Sequence, residues 1–290
     1  GLSRLLPSRL ISRVVGKMHG IPVPRRARSA LYKSWAYAMG ADLSEVKDPL
    51  TTYRSLQDFF SRSLKDGVHV IDGDPNTLLS PCDGRVTSTS AESTTRAGGL
   101  MIAQVKGIEY PVASLLGLDK PPPLTNAGNV LHAIVMYLAP GDYHQFHSPL
   151  EWEVTARHHI PGRLLPVNKL AVNMLPSLYA ANERVALFGK WKHGFFSFTA
   201  VGATNVGSIE LDFDKTLKTN KSEWRALRAG SPRATGRGHF LAYDTPVDLH
   251  RGELMGRFRL GSTIVLVFEA PPDFMLTCTA GDRVRVGRPI

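Results

Sequence analysis

Three short stretches hold the side chains that could do chemistry. In "YLAPGDYHQFHSP" (residues 137–149), His144 and His147 follow a Pro140-Gly141 break in the company of Asp142 and Tyr143. Two histidines at this spacing can ligate a metal, yet no cysteine or HExxH partner accompanies them. Acid/base work is the better reading, because imidazole titrates near neutrality. In "SPCDGRV" (80–86), Asp83-Gly84 makes a turn that opens a strand, and an Asx turn alone would account for it. In "RLGSTIVLVFEAP" (259–271), Ser262 stands between Gly261 and an apolar run, residues 264–268, that must be buried.

Serine, histidine and aspartate from separate segments admit two chemistries. In a hydrolytic triad, aspartate orients histidine and histidine deprotonates a serine that is recycled. The GxSxG elbow of such hydrolases is missing here, since Ser262 is followed by Thr263. In the second chemistry, Ser262 Oγ attacks the carbonyl of Gly261 and turns the peptide into an ester. Glycine permits the close approach this requires. Elimination then leaves dehydroalanine, which hydrolyses to a pyruvoyl group, so the serine is consumed to make a cofactor.

The elements that must position these groups fall into two textures. Residues 1–65 read as helical. Over residues 9–18, Leu10, Ile11, Val14, Val15 and Met18 share one face while Arg9, Arg13 and Lys17 lie opposite, a basic amphipathic helix suited to an anionic membrane interface. "RRARSALYKSWAYAMG" follows, ending at Gly40, then "TTYRSLQDFFSRSLK" with apolar spacing at Tyr53, Leu56, Phe59, Phe60 and Leu64. Beyond Gly67 the chain turns to short β-branched and aromatic runs between Gly, Pro, Asn and Asp. The expected fold is α+β: a helical N-terminal membrane-associating region over 1–67, then a mainly β catalytic body over 68–290. Residues 214–238, rich in Lys and Arg with Gly and Pro breakers, read as a solvated basic loop.

Composition narrows the partners. Lys and Arg number 35 against 25 Asp and Glu, a net charge of +10 that favours anionic surfaces or substrates. The basic residues do not alternate with aromatics, so nucleic acid is not expected. Cys82 and Cys278 are the only cysteines, in no CxxC or zinc spacing, so neither a disulfide framework nor a structural metal site is suggested, and a single bridge is the one pairing left open. No apolar stretch reaches the roughly 18 residues of a spanning helix. The chain begins at Gly1 rather than methionine, so a targeting or anchoring segment is expected to have been removed ahead of it.

"LGST" before a buried strand, "YHQFHSP", "PCDGRV", "VNKL…ANERV", "WKHGFFSFTAVGATNVGSI" and "GELMGRFRLGST" together resemble the phosphatidylserine decarboxylases, in particular the mitochondrial eukaryotic type. The resemblance runs from Tyr53 to Val286. It implies a proenzyme that cuts itself between Gly261 and Ser262 into a β chain, 1–261, and an α chain, 262–290, which stay associated. The α chain would begin with the pyruvoyl group made from Ser262. By position, Asp83, His147 and Ser262 match the family's self-cleavage triad, and His144 matches the histidine of decarboxylation itself. Cys82 is a neighbour without a role. Phosphatidylserine's amine would form a Schiff base with the pyruvoyl ketone, which accepts the electron pair freed as CO2 leaves, and His144 would protonate the carbanion to give phosphatidylethanolamine. The resemblance also implies the mitochondrial inner membrane, with peripheral attachment or an N-terminal anchor absent from this chain, and it is compatible with a homodimer. No metal is expected. The competing expectation is a Ser-His-Asp lipid hydrolase. Gly202, Gly207 and Ser208 are read as shaping a strand pair near the site, and Phe195, Phe196 and Phe198 as core.

Overall fold

The computed structural model describes residues 18–74, 77–92, 100–104, 108–167, 178–203, 209–219, 238–259 and 262–290. The apolar run of the third stretch forms β12 (Ser262–Ala270), buried along its whole length. Ile264, Leu266 and Phe268 join one apolar core while Val265 and Val267 join another, the alternation of a strand covered on both faces. That double burial explains why the run carries no polar residue between Ile264 and Phe268.

β12 pairs with β4 (Val130–Leu138) on one side and β8 (Gly194–Gly202) on the other. Beyond β4 lie β1 (Gly84–Glu92) and β13 (Arg283–Val284). Beyond β8 lie β7 (Arg184–Trp191), β6 (Trp152–Ile160) and β10 (His239–Leu249), completing an eight-stranded sheet in which neighbours are antiparallel. A three-stranded sheet covers one face, formed by β5 (Gln145–His147), β11 (Leu254–Phe258) and β9 (Ile209–Leu211). Its Phe146, Met255 and Phe258 enter the core of Ile264 and Phe268. The other face packs on β2 (Met101–Gln104) and β3 (Ile108–Pro111) and on short helices at Val112–Leu116 and Leu178–Ala181.

The N-terminal part is helical only in pieces. α1 (Arg25–Met39) ends at Gly40, whose φ of 73° is the left-handed cap that glycine supplies without strain. α2 (Leu56–Phe60) is capped by Ser55, whose side chain accepts from the Asp58 amide. The helix expected to run on to Leu64 stops after one turn, because the Ser61 carbonyl is taken by Gln145 Nε2 at 2.9 Å and Leu64 bridges to Val46. Tyr32, Ala36, Val46, Tyr53 and Phe59 form a small core of their own, and Phe60 belongs to the sheet's second core. The molecule is mainly β, as expected for its body. Apart from Met18, the basic helix of residues 9–18 lies outside the described residues, as does most of the 214–238 segment.

The sheet's register decides where chemistry can happen. Ser262 is opposite Leu138 on β4 and Gly202 on β8, while Arg85 of β1 is opposite Tyr137. The start of β1, the end of β4 and the start of β12 therefore lie along one edge. The three stretches singled out by their side chains all leave the sheet there.

Candidate active site

Ser262 shares the parity of Ile264 and Leu266, so its side chain is directed to the face covered by β5 and β11. Its Oγ is fully buried and has no hydrogen-bond partner among the described residues. Leaving a hydroxyl buried and unpaired costs on the order of 1–3 kcal/mol, so such a group calls for a functional account. Gly261 lies outside the described residues.

After Leu138, β4 ends in a turn that the Asp142 side chain closes: Oδ2 accepts the Ala139 amide at 2.8 Å and Oδ1 accepts Arg283 Nη2 at 2.9 Å. Glycine is required at 141, where a Cβ would stand 2.1 Å from the Met39 carbonyl oxygen. This turn offers the Asp142 carbonyl to His144 Nδ1 at 2.9 Å. A carbonyl only accepts, so Nδ1 carries the proton and Nε2 is a bare lone pair. Nε2 is buried and unpartnered among the described residues, and the ring lies 4.0 Å from that of Phe60. Burial pushes the His144 pKa down to about 3, so the imidazole is neutral at physiological pH. The His144 carbonyl accepts the Phe258 amide at 2.8 Å, tying it to the strand whose chain leads on to Ser262.

His147 is built differently. Its Nδ1 donates to the Gly252 carbonyl at 2.9 Å, which leaves Nε2 as the basic atom, 3.1 Å from Tyr143 Oη. Tyr143 Oη also lies 3.0 Å from Gln145 Oε1, which is held in orientation by the Gln145 amide bond to Ser61. One phenolic proton thus faces two acceptors while His147 is neutral. Burial lowers the His147 pKa as well, the Gly252 bond opposing it.

Asp83 does not bond His147. Its Oδ1 accepts His69 Nε2 at 3.1 Å and the Val286 amide at 2.9 Å. Burial alone would raise the carboxyl pKa, but the His69 bond and charge, the Val286 amide and nearby Arg285 together bring it below the ordinary value. The His69 ring is 4.8 Å from that of Tyr143 and 6.1 Å from that of His147. His69 therefore links Asp83 to the Tyr143–His147 pair. Cys82, beside Asp83, is fully buried and its thiol is pushed well up by desolvation, consistent with a packing role.

The family model described as phosphatidylserine decarboxylase matches residues 56–290. The chain belongs to the phosphatidylserine decarboxylase family. Its relatives include the mitochondrial phosphatidylserine decarboxylase proenzyme 1 of Oryza sativa subsp. japonica, 38% identical over 99% of this chain and 77% of that protein. The mitochondrial proenzyme of Cricetulus griseus is 39% identical over 99% of this chain and 72% of its own. The mitochondrial proenzyme 1 of Saccharomyces cerevisiae is 31% identical over 98% and 72%.

Two cavities open beside this decarboxylase-family site. One, about 570 Å³, is lined by Tyr137, Ala139, Val167 and Tyr179 and reaches Asp142 and Arg283. The other, about 230 Å³, is polar and includes Arg62, Asp83, Tyr143 and Arg285 together with the same Asp142 and Arg283. Asp142 and Arg283 thus stand on the wall of both. Sequence reasoning missed His69 and Arg62. "GVHVID" and "FFSRSL" contain no motif, and only the folded chain brings these residues to Asp83 and Gly141. Phe196 and Phe198 are core, as expected, and Phe195, only half-buried, packs against the core on the other face of the sheet. Gly207 and Ser208 lie outside the described residues.

Proposed function

We propose that the chain is a self-processing phosphatidylserine decarboxylase that acts through a pyruvoyl group made from Ser262, with Asp83, His144 and His147 in the roles their positions match. The observation that carries this reading is the unpaired, buried Ser262 Oγ at the first residue of a strand held on both sides. Attack of Oγ on the Gly261 carbonyl carbon forms a C–O bond, breaks the C–N bond and leaves the proton on nitrogen. Loss of the residue 262 α-proton then expels Gly261 as a carboxylate. The remaining dehydroalanine exchanges its nitrogen, lost as ammonia, for the oxygen of water.

His147 and Asp83 serve this first stage. A proton reaching His147 Nε2 converts it from acceptor to donor toward Tyr143, whose own proton then belongs to Gln145 Oε1. The proton taken from the serine completes a hydrogen-bond chain. The new terminus stays in place, because residues 262–270 pair with β4 throughout and with β8 over 262–268. The two products accordingly remain one folded body.

The pyruvoyl group fits this position, where Ser262 Oγ has no bond to give up, and it supplies the electron sink that carboxylate loss requires. His144 serves the second stage. Its free Nε2 is the atom that, once protonated, returns a proton to the carbon that CO2 has left. Burial makes the charged ring a strong acid, so that return is favourable.

The lipid surface is assigned to the N-terminal part, residues 18–67 and what precedes them. Met18, Ile21, Leu31, Met39 and Tyr37, the last 93% exposed, lie on or beside α1 with Arg25, Arg26 and Lys33. Apolar and basic groups together suit an anionic interface. Among the described residues no helix is long and apolar enough to cross a membrane. A mitochondrial membrane is the proposed location, after the relatives' names.

Intact mass spectrometry of the denatured protein tests the reading. The expected result is a small piece spanning 262–290 that begins with pyruvoyl in place of serine. An active preparation with one unmodified chain overturns it.

A further inference from the structure

Arg62 is a buried cation with open valences. It is 3% exposed, and its Nη2 donates to the Gly141 carbonyl at 2.9 Å. Its Nε and Nη1 are enclosed and have no partner among the described residues. The guanidinium carbon lies 5.4 Å from the centre of the Phe59 ring. Burying a guanidinium and leaving two of its nitrogens without an acceptor is costly unless one arrives.

The surroundings say what kind of acceptor. Arg62 lines the polar cavity of about 230 Å³, and the carboxylates on that wall already have partners. Asp142 holds Arg283, Asp83 holds His69, Glu45 holds Arg285 and Asp42 caps the Ser44 amide. An incoming anion would therefore meet acids that are each already hydrogen-bonded, Asp142 and Glu45 to arginines, and a guanidinium with two unpartnered nitrogens, donors suited to phosphate or carboxylate oxygens. The cavity is also next to the reacting edge. Asp83 adjoins Gly84 at the start of β1, and two strand spacings, about 10 Å, separate β1 from β12.

We propose that Arg62 anchors the substrate by its phosphodiester, an inference that rests on the phosphatidylserine reading given above. Phosphatidylserine offers two anions, and the reaction itself chooses between them. The carboxylate is destroyed as CO2, and an arginine gripping it would stabilise the ground state against its loss. The phosphodiester keeps its charge from substrate to product. Holding it is uniform binding, which lowers KM and leaves the barrier untouched. The neighbouring apolar cavity, which shares Asp142 and Arg283, lies where the glycerol and acyl portion would follow.

The test uses full-length protein carrying Ser262→Ala, so that binding is read without processing or turnover, and three soluble probes. sn-Glycero-3-phosphoethanolamine has the phosphodiester and no carboxylate, O-methylserine has the carboxylate and no phosphodiester, and inorganic phosphate is the bare anion. Calorimetric titration is expected to show saturable binding of the first probe, weakened at least tenfold by Arg62→Met and less by Arg62→Lys. Binding of O-methylserine that depends on Arg62 while the phosphodiester probe does not would overturn the proposal in favour of a carboxylate site. Equal binding of the first probe with and without Arg62 would overturn it outright, as would binding of inorganic phosphate alone. Should Arg62→Met melt well below its parent, Arg62→Lys decides: threefold or greater weakening at unchanged melting supports the anchor, and no weakening removes it. In the processed enzyme with Ser262 intact, Arg62→Lys is expected to raise KM for phosphatidylserine with little change in kcat. A fall in kcat alone would make Arg62 a support for the Gly141–His144 turn instead. Because the binding arms read no activity, failure of the decarboxylase reading shows only in the mass spectrum and remains distinguishable.

Discussion

His144 and His147 are three residues apart yet occupy opposite environments. His144 has the parity of Phe146 and enters a dry space against Phe60, with one nitrogen on a carbonyl and the other unpartnered. His147 has the parity of Gln145 and enters a polar chain in which both nitrogens are engaged, running through Tyr143 to Gln145, with the His69–Asp83 pair packed beside the Tyr143 ring. The difference teaches how one short segment can serve two stages of chemistry. A lone pair with no partner is free to meet a substrate, whereas a fully bonded imidazole is suited to managing a proton within the protein.

Substitutions can break this contrast, beginning with the largest effect. Ser262→Ala is expected to abolish both stages, leaving a single uncut chain without decarboxylation, read by mass and by CO2 release. The two histidines should then separate. His147→Ala is expected to slow chain cutting by about 10²–10⁴-fold. His144→Ala should cut at close to the normal rate but lose decarboxylation by a similar factor, about 10²–10⁴. Cutting equally impaired in both variants would erase the distinction.

A finer blade is Tyr143→Phe, which removes the proton shared between His147 and Gln145 and touches nothing on His144. Chain cutting should slow by about tenfold, the worth of one hydrogen bond to a charged group, while decarboxylation by already cut protein holds. The pH dependence of cutting should shift with it. His147 must be neutral to act as a base, and its pKa is lowered by burial, so cutting persists below the ordinary histidine range and fails as pH drops further.

The smallest effect concerns stability. The His144 pKa falls from an unfolded value near 6.5 to about 3 in the folded chain, so between these values the unfolded state binds more protons. Its contribution is complete above the unfolded value and declines as pH falls through that window. His144→Gln is expected to flatten the acid side of a melting-temperature profile, and an unchanged slope would place His144 in contact with water.

Much of this was legible in advance, for a physical reason. A short apolar run such as 264–268, rich in β-branched residues and bounded by Gly261 and Pro271, reads as a strand covered on both faces, and that run puts Ser262 at its mouth. A Pro-Gly break after an apolar strand fixes where a turn falls, so His144 and His147 were expected beyond it. The helix expected through Leu64 was misjudged, since its apolar spacing is helical while the Ser61 carbonyl is claimed by Gln145 from a distant segment.

By itself the chain's order of residues determined the buried strand, the reactive groups at its edge and the family. Periodicity and motif are local properties that the chain carries with it. Only the tertiary structure decided that Asp83 bonds His69, that Tyr143 stands on His147 and that Arg62 is buried with two open nitrogens. Hydrogen bonds are directional and their partners arrive from remote segments, so no spacing along the chain records them until the sheet edge brings them together.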